Sequence, residues 1–269
     1  MTSQLKKIRT STLLALKQSG TAFACLTSYD FLTAEIFDQA GIEVILVGDS
    51  AGNTMLGHEN TLQISVEEMI SFGRAVTQAA KHSLVVIDMP FGSYEVSADH
   101  AVENAIKLMK HSGAEAVKLE GGKDRVEQIK AIVGAGIPVM GHLGFTPQSV
   151  HALGGFKVQG RGNQAASLLA EATALEEAGV FAIVLEMVPA TVAKTITETL
   201  SIPTIGIGAG NQTDGQILVW QDFAGLSTGS RKFVKQYAAL KKDLTAAADA
   251  YRSEVQSRAF PDTEHSFED

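Results

Sequence analysis

Residues Ala116–Gly122 read AVKLEGG, an apolar strand with two charges set inside it. Side chains alternate across a strand, so Lys118 and Glu120 point one way while Val117 and Leu119 point the other. Burying a lysine and a glutamate costs several kcal/mol unless each finds a partner. The pair is therefore either a structural salt bridge or part of a site, and the rest of the chain has to decide between them.

Working outward, the same unit recurs on both sides. Upstream, Phe23–Thr27 reads as a strand, and Asp30 caps a helix that stops at Gly41. The apolar run 44–49 closes on VGDS, and Ser65 with Glu68 has capping-box spacing for a helix reaching about Lys81. A strand at Leu84–Asp88, the loop PFGSY and a helix from Ser97 to Gly113 lead into AVKLEGG. Downstream, a helix from Asp124 runs through Gly136 and Pro138 into a strand over 139–143. A long polar segment, GFTPQSVHALGGFKVQGRG, precedes a helix over Gln164–Ala178, where Ala165, Leu168, Leu169, Ala172 and Leu175 form one apolar face. Strands follow at 182–187, Thr204–Ile207 and 217–219. AVKLEGG is thus the fourth of eight short apolar strands alternating with helices, a pattern that predicts a parallel sheet closed into a (β/α)8 TIM barrel. One domain over residues 1–269 is expected, with a short polar tail, PDTEHSFED.

Composition narrows the class of partner. The chain has 269 residues, is 45% hydrophobic and carries a net charge of −8, with its 22 basic residues scattered. That balance disfavours nucleic acid or an anionic membrane and favours small molecules. Cys25 is the only cysteine, so neither an intrachain disulfide nor a thiolate zinc site is available. No apolar run reaches the roughly 18 residues of a membrane span, and the N-terminal stretch lacks a secretory pattern. A cytoplasmic protein is expected.

Polar residues gather where the predicted strands end: Asp49 and Ser50, Asp88, Glu120, His142 and Glu186. In a parallel barrel these ends meet at the face that carries the site. Four carboxylates there would repel one another unless something positive sat among them. Lys118 answers one; a divalent cation answers more, and with oxygen ligands and no thiolate the hard ion Mg2+ is favoured, acting as a Lewis acid. His142 is open to three readings: base, hydrogen-bond donor to substrate, or packed barrel residue. The glycine-rich GIGAGNQTDGQ after the seventh strand is either a phosphate site or a turn. The segment 144–162, with five glycines, Lys157 and Arg161, is expected to form a movable cover.

These residues carry a resemblance. TSYD, VGDS, KLEGG, GHLGFTPQS, GGFKVQGR, LEMVP, IGIGAGNQTDGQ and EHSF, spread over nearly the whole chain, resemble the ketopantoate hydroxymethyltransferase family. The resemblance implies a barrel of the phosphoenolpyruvate/pyruvate-binding type. It also implies transfer of a one-carbon unit from 5,10-methylenetetrahydrofolate to 3-methyl-2-oxobutanoate, giving 2-dehydropantoate in pantothenate biosynthesis. It makes Asp49 and Asp88 magnesium ligands that touch the keto acid, and Glu120 the third residue of the metal site. Lys118 becomes the partner of the substrate carboxylate, Ser50 and His142 substrate contacts, and Glu186 the proton acceptor. A Mg2+-stabilised enolate and a homodecamer are implied as well. The alternative on the same barrel is a Mg2+-dependent 2-oxo acid carbon–carbon lyase. The sequence departs from the family pattern at Ser227–Lys232, STGSRK.

Overall fold

The computed structural model describes residues 6–227, 229 and 231–267. Eight strands, β1 (Phe23–Thr27), β2 (Val44–Val47), β3 (Leu84–Asp88), β4 (Ala116–Glu120), β5 (Val139–Gly144), β6 (Ala182–Glu186), β7 (Thr204–Ile207) and β8 (Gly215–Leu218), follow the expected boundaries within two residues. They pair in chain order, all parallel, and β8 closes on β1 to complete a TIM barrel. Every residue of β2, β3, β4 and β6 is buried, as strands covered on both faces must be.

The helix signals act as read. Asp30 accepts a hydrogen bond from the Thr33 N–H at 2.9 Å, the Ser65–Glu68 capping box is closed, and Ser97 caps the helix Ala98–Ser112, which ends at Gly113 with φ +81°. Inside the helix Val66–Ala79, Gly73 is required by contact: a Cβ there would lie 2.7 Å from Ser112 Cβ and 2.8 Å from Ile87 Cδ1. Cys25 is buried, and burial followed by the nearby Glu43 pushes its thiol well above the ordinary value, which leaves it unreactive.

Three helices lie beyond those expected, two of them without a clear sequence signal. Thr10–Ser19 buries only Leu13, so it shows no apolar stripe. Ala190–Thr199 is rich in β-branched residues of modest helix propensity. Leu240–Ser257 is the exception: Leu240, Leu244, Tyr251 and Val255 fall at helical spacing, a readable face, although none of its residues is buried. The connection from β7 to β8 departs from a regular (β/α)8 unit, crossing in residues 208–214 without a helix.

The chain forms two compact units, Met1–Val219, which holds the barrel, and Trp220–Asp269. In the second, Phe223 stacks on Tyr237 at 5.1 Å between ring centroids, and Tyr251, Phe260 and His265 make a further ring cluster. Of the divergent 227–232 loop, Thr228 and Ser230 lie outside the described residues; Ser227 Oγ donates to Asp222.

Candidate active site at the C-terminal mouth of the barrel

Strand register brings the charged residues together. Asp88 at the end of β3 pairs with Lys118 on β4, and Glu120 at the end of β4 pairs with His142 on β5. Asp49 and Ser50 follow β2, and Glu186 ends β6. Asp49, Asp88, Lys118, Glu120, His142 and Glu186 are all at most 7% exposed, so the six form one buried group.

The contacts settle how each is held. Lys118 Nζ donates to Asp88 Oδ1, while Asp88 Oδ2 accepts the backbone N–H of Asp49 at 2.9 Å. Burial alone would lower the Lys118 pKa, but Asp88, Glu120 and Asp49 outweigh it and keep the ammonium charged. Asp49 goes the other way. Burial, then repulsion from Asp88 and Glu120, pushes its carboxyl well above the usual range against Lys118 and a hydrogen bond from Gln148.

His142 lies between two glutamates. Its Nδ1 is 3.3 Å from Glu120 Oε1 and its Nε2 is 3.3 Å from Glu186 Oε2, ion-pair contacts that lack hydrogen-bond alignment. Burial and Lys118 act to lower its pKa, but the two glutamates prevail and raise it to about 9. A charged ring does not accept a proton, which disfavours the base reading, and both ring nitrogens face glutamates in this geometry.

Close backbone approaches fix the strand ends. A Cβ on Gly48 would lie 2.8 Å from Ser50 Oγ and 3.5 Å from Asp88 Oδ2, so VGDS needs its glycine. Ser50 Oγ is hydrogen-bonded to the buried Tyr29 hydroxyl at 2.7 Å. Gly144, at φ +93°, lets β5 cross β6 where a Cβ would meet the Glu186 carbonyl at 2.2 Å; that carbonyl accepts the Phe145 N–H at 2.8 Å. Met187, next to Glu186, has φ +49°, an unusual value for a side chain of this size. Its N–H donates to Ile207 O and its carbonyl accepts the Gln159 N–H, which secures the turn beside Glu186.

Two further buried residues join the group. Gln148 Nε2 donates to Asp49 Oδ2 at 2.8 Å and to Met89 O at 3.0 Å, while its backbone N–H donates to Glu120 Oε2 at 2.9 Å. The Tyr94 hydroxyl donates to Gln148 Oε1 and accepts the Glu120 N–H at 3.3 Å. Sequence reasoning assigned neither. Tyr94 lies in PFGSY and Gln148 in GFTPQS, and the available signal was a polar-tipped side chain in a loop that ends a barrel strand. Phe145, Thr146 and Gln148 are buried, so the first part of the segment expected to be a cover is anchored in the site; Phe156, at 60% exposure, belongs to its open part. In the glycine-rich turn, Gln216 Nε2 donates to Gly210 O and Thr213 Oγ1, contacts that favour the turn reading over the phosphate reading.

The group fits a divalent cation by charge. Four buried carboxyls, Asp49, Asp88, Glu120 and Glu186, gather around Lys118 and His142, and the burial and repulsion that drive the Asp49 pKa up are what a bound cation would relieve. Among the described residues, no three His, Cys, Asp or Glu side chains form a ready-made metal cage. An ion of the Mg2+ type would draw its remaining ligands from water and substrate oxygens. Among the described residues, no helix is long and apolar enough to cross a membrane.

Comparison with known proteins identifies the relatives. The family profile described as ketopantoate hydroxymethyltransferase matches residues 7–263. The 3-methyl-2-oxobutanoate hydroxymethyltransferase of Leifsonia xyli subsp. xyli is 58% identical over 97% of this chain and 95% of its own length. That of Corynebacterium glutamicum is 55% identical over 97% and 98%. Among solved structures, a phosphonopyruvate hydrolase complex with oxalate and Mg2+ superposes with a TM-score of 0.62 at 15% identity, covering 96% of this chain and 93% of that one. A 2,3-dimethylmalate lyase superposes at 0.59 and 14%, covering 92% and 87%. At such low identity these two structures establish the barrel alone, and the lyase alternative has no support beyond it. With its profile match spanning almost the whole sequence and relatives above 50% identity, the chain belongs to the ketopantoate hydroxymethyltransferase family.

Proposed function

We propose that this enzyme adds a one-carbon unit from 5,10-methylenetetrahydrofolate to 3-methyl-2-oxobutanoate, with Mg2+ at the mouth of the barrel. The observation that carries the reading is the crowding of four buried carboxyls around Lys118 and His142, with the Asp49 pKa driven up by burial and by its acidic neighbours. Asp49 and Asp88 would hold the ion, and Glu120 would complete the metal site from β4. Bound there, Mg2+ supplies Lewis acidity to a 2-oxo acid, which makes the C3 hydrogen easier to remove.

The chain's own groups account for the rest. Lys118 spends one N–H on Asp88 and has two left for a substrate carboxylate. Ser50, at the entrance of the same loop, offers its hydroxyl. Glu186 takes the C3 proton, breaking the C–H bond and leaving its electron pair on the substrate. One water releases the methylene carbon from its two folate nitrogens, which keep the N–H protons as tetrahydrofolate. The C3 electron pair bonds that carbon at the formaldehyde level while its oxygen takes up a proton to become the hydroxymethyl group. His142, 3.3 Å from Glu186 Oε2, orients that carboxylate, and would contact the substrate only by turning its Nε2–H away from it. Burial keeps bulk water from these groups.

A homo-oligomer in the cytoplasm is the expected working form, with the decamer as its expected size. Apolar Leu32 and Ile36 in the first unit, 67% and 60% exposed, and Leu244 and Tyr251 in the second, 58% and 60%, support association. Light scattering at micromolar concentration measures the size directly; a monomer would remove this part.

The deciding experiment incubates the protein with Mg2+ and 3-methyl-2-oxobutanoate, with and without 5,10-methylenetetrahydrofolate. Product is expected with the folate, and exchange of the C3 hydrogen with solvent deuterium without it. Fragmentation of the keto acid in place of addition would favour the lyase, and neither exchange nor product would overturn the site.

A further inference from the structure

We propose that Gln148 is the positioning residue of the metal site, setting the separation of Asp49 and Glu120 through its side chain, locked by Tyr94, and its own backbone N–H. The proposal rests on the magnesium reading above.

Gln148 meets the two carboxylates with different parts of itself. Its side-chain N–H reaches Asp49 Oδ2, and its backbone N–H reaches Glu120 Oε2. The side chain has one available orientation. Both amide hydrogens are used, on Asp49 and Met89 O, and the amide oxygen accepts from Tyr94. Turning the amide over would set its oxygen against two acceptors and its N–H group against the Tyr94 hydroxyl, whose proton would need a new acceptor. Tyr94 is fixed in turn by the Glu120 N–H, so the bonds form a ring that starts and ends on Glu120. All four residues lie within this buried cluster, where such bonds are strong and an unmade one is costly.

The chemistry of an amide suits the task. Gln148 fixes a carboxylate without neutralising it, so the negative charge of Asp49 stays available to a cation; a lysine or arginine in its place would cancel that charge. It also takes up one oxygen of Asp49 and one of Glu120; the other Glu120 oxygen faces His142 Nδ1 at 3.3 Å. Glu120 Oε1 is buried and has no hydrogen bond. Donors that orient ligating carboxylates from outside typically change metal affinity or activity by about 10- to 100-fold when removed.

The test is calorimetric titration of the full-length protein with Mg2+, with and without keto acid, alongside the Mg2+ dependence of C3 deuterium exchange. Gln148→Ala is expected to weaken Mg2+ binding by about 10- to 100-fold and to move the exchange curve to higher Mg2+ by the same factor. Gln148→Glu, equal in shape but presenting an acceptor to Asp49, is expected to bind more weakly still. Tyr94→Phe should shift the curve in the same direction by less, and adding it to Gln148→Ala should cost little more, because the tyrosine acts through the glutamine. A purely structural role would lower the melting temperature while leaving Mg2+ affinity and the exchange curve at wild-type values, and that result overturns the proposal. If Gln148→Ala does not fold, Tyr94→Phe decides alone: weakened Mg2+ binding supports the proposal and unchanged binding overturns it. Wild-type protein that binds no Mg2+ would instead overturn the reading beneath it, a distinct result.

Discussion

The two ends of the barrel hold buried acids in opposite ways. At the N-terminal end, Asp214 Oδ2 accepts from Lys17 Nζ at 2.9 Å and from the Thr204 N–H at 2.8 Å, and Lys17 also donates to Thr197 O. Asp38, at the end of the helix Phe31–Gln39, accepts the backbone N–H groups of Lys81, His82 and Ser83, which lead into β3. Each acid there has its own donors, and nothing is left over. At the C-terminal end the acids crowd on one another, Asp49 is pushed toward protonation, and Glu120 keeps a buried oxygen without a hydrogen bond. A buried ion pair by itself therefore does not mark a site. What marks it is the crowding of acids beyond what the protein's own partners relieve.

The largest test of that contrast is at Glu186. Glu186→Gln keeps the shape and can still hydrogen-bond, so keto acid and Mg2+ should bind almost normally. Deuterium exchange at C3 should fall by on the order of 10²- to 10⁴-fold, the usual worth of a positioned base. His142→Asn should weaken substrate orientation yet leave clear residual exchange, since a charged imidazole was not accepting the proton. Wild-type exchange in Glu186→Gln together with none in His142→Asn would exchange their roles.

Asp88→Asn comes next. It removes one of the four carboxylates with little change of volume, and Lys118 still has Glu120 and Asp49 near it. Mg2+ affinity measured by calorimetry should fall by at least the roughly 10- to 100-fold that an outer partner is worth. Circular dichroism should report an intact fold. Unchanged affinity for both Mg2+ and keto acid would mean that the crowded acids do not hold the ion.

The opposite end should answer in stability and not in chemistry. Lys17→Met breaks a largely buried ion pair, with side-chain exposures of 13% and 15%, and should cost about 2 kcal/mol in denaturant unfolding. Exchange and Mg2+ binding per folded molecule should match wild type. A loss of exchange in this variant would show that the two ends are coupled and dissolve the contrast.

How far the sequence carried this picture depends on what kind of signal each part leaves. The strands were legible because a barrel strand is a short apolar run with both faces buried, and β1, β3 and β7 have the expected limits. Asp49, Asp88, Glu120, His142 and Glu186 were legible because a charge at the end of such a run is costly and therefore conspicuous. Gln148 and Tyr94 were not, since an uncharged polar residue in a loop is ordinary until its burial is known. The helix Leu240–Ser257 was legible but passed over: Leu240, Leu244, Tyr251 and Val255 fall at helical spacing, beyond the last strand of the alternation that guided the reading. Over residues 144–162 the glycines and length suggested a movable cover, and within that segment Phe145 and Gln148 are buried. Chain composition reports loop character well, but which loop residue folds back inside is decided by long-range contacts.

The smallest expected effect belongs to Asp38, and it sharpens the contrast through pH. Burial acts to raise its pKa, but the N–H groups of Ser83, Lys81 and His82 outweigh burial and hold the carboxyl below its ordinary value, the reverse of Asp49 at the other end. A folded-state pKa below the unfolded value of about 3.9 means that the charged form favours folding. That contribution is complete above the unfolded pKa and is lost as pH falls through the folded one. Asp38→Asn keeps one acceptor oxygen and removes the charge, so it should melt lower than wild type at pH 7 by on the order of a few degrees. The gap should narrow as pH falls below about 4, where wild type loses the same charge by protonation. Melting curves for both proteins from pH 7 to pH 3 provide the measurement, with the difference between them isolating Asp38 from the other acids. A gap that stays constant to pH 3 would mean that Asp38 owes its place to shape and not to charge, and the backbone donors at the N-terminal end would then be holding a carboxyl they do not need ionised.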